Sequence, residues 1–73
     1  MTTIVQYVPF IEELGAMIDV EFSEMPGLCL TEAQIRRRWL LSEAESAAVL
    51  EYLTTAQHLV EDHCGQYRRR EFR

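Results

Sequence analysis

The chain has 73 residues, of which 48% are hydrophobic, 26% charged and 10% aromatic, and its net charge is −5. These figures describe one small globular domain, residues 1–73, and exclude a disordered segment or a two-lobed enzyme with a cleft between domains. The acidic balance disfavours general polyanion binding, because a long-range negative field repels phosphate.

In chain order, the first predicted element is a helix from Pro9 to about Phe22. Pro9 suits a first helical position, and Glu12 and Glu13 suit the first turn, where the helix dipole favours acids. Phe10, Ile11, Leu14, Met17, Ile18 and Phe22 recur at three- and four-residue steps and make one apolar stripe. Residues 3–8 are β-branched and aromatic, which suits a short strand or an extension of the helix. Pro26-Gly27 marks a turn. Leu28 and Leu30 flank Cys29 with a period of two, as in a very short strand or an extended approach to the next helix.

Thr31-Glu32-Ala33-Gln34 has the form of a capping box, in which the Thr hydroxyl accepts from the Gln amide and the Gln side chain reaches back. It predicts a second helix from about Glu32 to Leu41. Ser42-Glu43-Ala44-Glu45 is another capping box and predicts a third helix from about Glu43 to Ala56. So short a join forces a sharp turn, the spacing of a helix-turn-helix. His58-Leu59-Val60 and Gln66-Tyr67 bracket Gly65 and predict a two-stranded hairpin with its turn near Asp62 to Gly65. The predicted fold is mainly α with a small β-hairpin: a winged helix-turn-helix of three helices plus a C-terminal wing.

Residues 24–70 carry Glu24-Met25-Pro26-Gly27-Leu28, Leu30-Thr31-x-x-Gln34, Arg37 with Trp39 and Leu41, Val49-Leu50-x-x-Leu53, Leu59 and Gly65-x-Tyr67-x-Arg69. In this the chain resembles a class of small bacterial winged helix-turn-helix proteins of unassigned function. The resemblance implies the fold, and it implies DNA binding with the second helix of the pair in the major groove and the wing on the backbone. Four positions depart from the pattern: Arg38 stands where an apolar residue is expected, Leu40 and Gln57 where Gly is expected, and His58 where an aromatic is expected. Leu40 brings strain if its position needs a positive φ. The stem of Arg38 is expected over the core with its head in water.

Charge is unevenly placed. Residues 1–35 hold six acids and no base, and all seven bases are arginines at Arg36, Arg37, Arg38, Arg68, Arg69, Arg70 and Arg73. Arg36, Arg37, Arg68, Arg69 and Arg70 are the candidate phosphate contacts, on the second helix and the wing, where this fold meets the DNA backbone. The plainer reading is that they balance the acidic first helix. On the third helix, Ser46, Val49, Leu50, Leu53 and Ala56 are expected inward, and Ala44, Ala47, Ala48, Glu51, Thr54 and Thr55 outward. The outward face has no Arg, Lys, Asn or Gln to read guanine or adenine. Its small uncharged residues suit the centre of a protein interface equally well.

The leading expectation is a non-enzymatic, DNA-binding transcriptional regulator. The rival is a protein–protein interaction or self-association module of the same fold, with a homodimer among its open partners. Neither a cofactor nor a metal is expected, because Cys29, His58, His63 and Cys64 lack metal-ligand spacing and His63-Cys64 lacks a third catalytic group. Trp39, Tyr7, Tyr52 and Tyr67 read as core and wing packing, and Met17 and Met25 as core gap fillers. With no run of 18 apolar residues, no secretory signal pattern and no disulfide framework, a cytoplasmic location with free thiols and no membrane partner is expected.

Overall fold

A computed structural model describes the backbone of residues 3–70 and the side chains from residue 10 onward. It is a small α+β domain of three helices and one antiparallel sheet. The order is α1 (Thr3–Glu24), β1 (Cys29–Thr31), α2 (Glu32–Arg38), α3 (Glu43–Thr55), β2 (Leu59–Glu61) and β3 (Gln66–Arg69). The sheet runs β1-β3-β2, so the hairpin gains a third strand from the segment before α2. Leu30 faces Tyr67 across one pair, and Val60 faces Arg68 across the other.

Helix α1 takes the N-terminal extension that the sequence leaves open for residues 3–8. Residues 3–8 are helical, so Pro9 lies inside the helix and Glu12 and Glu13 fall beyond its first turn. The inward stripe is Ile11, Leu14, Ile18 and Phe22. Phe10 and Met17 lie on the outer face at 42% and 59% exposure, and Met25 is exposed at the helix end, so neither methionine fills the core. The core joins that stripe to Ile35 of α2, to Val49, Leu50 and Leu53 of α3 and to Leu59 of β2. Burial of these nine side chains, at about 1.5–3 kcal/mol for each large one, is the main term holding helices and sheet together. Helices α1 and α3 approach closely at Gly15, where a Cβ would lie 2.8 Å from two ring carbons of Tyr52.

Both capping boxes form. The Thr31 hydroxyl accepts from the Gln34 amide and the Ser42 hydroxyl from the Glu45 amide, with each N3 side chain bonded back to its cap. Helix α2 ends at Arg38 rather than Leu41, because Leu40 turns to φ 57. The Leu41 amide then donates to the Arg36 carbonyl at 2.8 Å. Helix α3 ends in the same way: Gln57 has φ 67 and the His58 amide donates to the Leu53 carbonyl at 2.9 Å. Both are Schellman closures, in which the residue after the cap is left-handed and is usually glycine. The two positions where the resemblance calls for glycine are therefore the two that carry left-handed strain.

Inward residues of α3 follow the expectation at Ser46, Val49, Leu50 and Leu53. Ala56 does not: it caps the helix and is exposed. Arg38 is exposed and is held by the Glu21 carboxylate and by the ring of Trp39, 5.5 Å from its guanidinium carbon.

Candidate interaction surfaces

Outward residues of α3 divide into two groups. Ala44, Ala47, Glu51 and Thr55 are exposed, whereas Ala48 and Thr54, also expected outward, are half-buried. Ala48 packs against the core, and the Thr54 hydroxyl donates to the Leu50 carbonyl at 2.8 Å. The Ser46 hydroxyl, fully buried, lies 3.0 Å from both Glu32 Oε2 and the Glu43 carbonyl. That contact fixes the first residue of α2 against α3.

Between α3 and the sheet lies a groove of about 420 Å³, lined by Ala47, Leu50 and Thr54 and by three glutamates, Glu32, Glu51 and Glu61. Tyr67 forms part of its wall. Burial, followed by the nearby charges of Glu61 and Glu32, raises the Tyr67 pKa above the usual phenol value. Sequence reasoning places Glu51 here but misses Glu32 and Glu61, which come from other elements. For Glu61 the signal is alternation in the wing, which puts it and Tyr67 on the same face of the hairpin.

The five candidate phosphate contacts come from two parts of the chain, α2 and the end of the hairpin. Arg36 and Arg37 line a separate hollow of about 510 Å³ with Ala33, Leu40 and Leu41. Arg68 sits opposite Cys29 and Val60, on the sheet face turned away from Leu59. Arg69 sits opposite Leu59 on the other face, and the Arg70 amide donates to the His58 carbonyl at 3.0 Å. At the hairpin tip, Asp62 accepts from the amides of Gln66 and Cys64 at 3.0 and 2.9 Å. These bonds, that from Gln66 foremost, hold its pKa below the ordinary value. His58 Nδ1 lies 3.8 Å from Asp19.

Among the described residues, no three His, Cys, Asp or Glu side chains come together in a way that could hold a metal ion. Cys29 and Cys64 are free thiols. No helix among the described residues is long and apolar enough to cross a membrane. Comparison with protein-family models, curated proteins and solved structures finds no match for this chain.

Proposed function

We propose that the chain is a winged helix-turn-helix domain and works as a non-enzymatic module that binds a basic segment of a protein partner. The assignment to that fold rests on the two back-to-back capped helices and on a β2–β3 hairpin whose β3 strand also pairs with β1. In such domains α3 and the wing face the ligand. The observation that carries the function is the groove beside α3. Glu32, Glu51 and Glu61 line it, the helix face next to it exposes Ala44, Ala47 and Thr55, and among the described residues no arginine joins its wall. A phosphate backbone laid there meets three carboxylates. A peptide carrying arginine or lysine meets complementary charge with small, uncharged residues alongside.

One feature favours DNA as a second reading. Arg68 and Arg69 end β3 and Arg70 follows directly after it, where a wing meets phosphate, and Arg36 and Arg37 stand on α2. That reading is of a regulator held on DNA by phosphate contacts alone, with α3 adding little base readout.

The two readings separate in an amide-resolved NMR titration, run with an arginine-rich peptide and with a duplex of random sequence. The peptide is expected to move the amides of Ala47, Glu51, Thr54, Glu61 and Tyr67, with the effect lost in Glu51→Gln/Glu61→Gln. If the peptide leaves those amides unmoved while the duplex moves Arg36, Arg37 and Arg68, the protein-binding reading is wrong.

A further inference from the structure

Leu40 combines two costs. It holds a left-handed backbone at φ 57, and its side chain is 88% exposed. A large apolar side chain kept in water on a strained turn points to a contact that covers it. Its surroundings describe the contact: it borders the hollow lined by Ala33, Arg36, Arg37 and Leu41. Of the three consecutive arginines, Arg38 is taken up by Glu21 and Trp39. Arg36 and Arg37 form no ion pair among the described residues. The hollow therefore suits a surface that offers an apolar side chain with a carboxylate one helical turn away.

The outer face of α1 offers that chemistry. Glu13, Met17, Val20 and Glu24 follow one another at four-, three- and four-residue steps, which sets them in one line on a helix. All four are exposed, Met17 by 59% and Val20 by 53%. Glu13 and Glu24 form no ion pair among the described residues. Leu40 follows Arg36 and Arg37 by about one turn of chain, as Met17 follows Glu13 and Val20 precedes Glu24. Apolar contact and charge pairing can thus be made in step. Two α1 faces cannot pair with each other, since residues 1–35 carry six acids and no base.

We infer that the chain self-associates by seating the α1 outer face of one copy in the Arg36–Arg37–Leu40 hollow of a second copy. The contact joins two different patches, so it closes into a pair only where each copy seats the other's helix, and otherwise propagates as a ring or chain. It is small and charge-assisted, hence reversible and weakened by salt. It involves neither the groove beside α3 nor the wing, so it stands whatever the groove binds.

The test is sedimentation equilibrium of the whole chain at low and high salt, up to about 1 mM protein, the affinity range of small interfaces. The wild type is expected to gain mass with concentration and to lose that gain in high salt. Arg36→Glu/Arg37→Glu and Glu13→Arg/Glu24→Arg are each expected to weaken association at least about tenfold, because like charges then face each other. An equal mixture of these two variants is expected to associate again. Leu40→Gly keeps the fold and relieves the turn, so it is expected to melt higher while associating more weakly. A wild type that stays monomeric at low salt overturns the inference. So does association that survives both charge reversals, a mixture that fails to associate, or a Leu40→Gly variant that associates as the wild type does.

Discussion

Replacing Leu40 and Gln57 by glycine tests the link between turn geometry and stability. Both residues stand at the left-handed position of a Schellman closure, at φ 57 and φ 67. Left-handed backbone costs an L-residue about 1–2 kcal/mol, whereas glycine adopts it freely but loses about 0.5–1 kcal/mol of extra chain entropy on folding. Leu40 is 88% exposed, so deleting its side chain forfeits only about 0.3 kcal/mol of burial. Each glycine is therefore expected to stabilise the fold by about 0.5 kcal/mol, and the two, at opposite ends of α3, are expected to add. For a domain of this size the double variant gains about 4–8 °C in Tm. Urea denaturation gives the same quantity as a higher midpoint at unchanged slope. Leu40→Val, β-branched and less tolerant of positive φ, is expected to lower the midpoint. If both glycine variants melt at or below the wild-type temperature, the strain argument is wrong.

Gly15→Ala is expected to destabilise the domain by about 1 kcal/mol in thermal melts, because displacing the Tyr52 ring outweighs the gain in helix propensity. Ser46→Ala removes the hydroxyl that joins Glu32 to α3 and is expected to cost about 1.5–3 kcal/mol in urea denaturation, the scale of a hydrogen bond to a charged group. Tyr67 titrates above the usual phenol value, so its contribution to stability is complete below the unfolded pKa and is lost as pH rises through the folded one. Glu61→Gln removes one of the charges that raise it, so an NMR titration of the Tyr67 ring is expected to show its pKa falling toward the ordinary value.

Local signals in the chain carry local structure well. Thr31 with Gln34 and Ser42 with Glu45 mark both helix starts, and both capping boxes form. The hairpin about Gly65 is legible for the same reason: its turn chemistry lies within a few residues. Helix α1 is harder. Residues 3–8 suit a strand or a longer helix by type and Pro9 suits a helix start, so only the structure shows that the helix runs through them to Thr3. The pairing of β1 with β3 joins residues far apart in the chain, which no local pattern reports. The groove shares that difficulty, since Glu32, Glu51 and Glu61 come from α2, α3 and β2. The arginines show the same limit: clustered in sequence, Arg36 and Arg37 line the hollow beside α2, and Arg68 and Arg69 alternate between the two faces of the sheet. Leu40 is legible as a departure from glycine, but its exposure beside Arg36 and Arg37, which form no ion pair among the described residues, appears only in three dimensions.

The carboxylates beside α3 face whatever approaches that helix, and a duplex is the most direct probe of them. Fluorescence anisotropy of a labelled random-sequence duplex, titrated with the wild-type chain at low and at physiological salt, is expected to stay flat in both. Saturable binding at low salt that weakens steeply as salt is added, the signature of released counterions, contradicts the account.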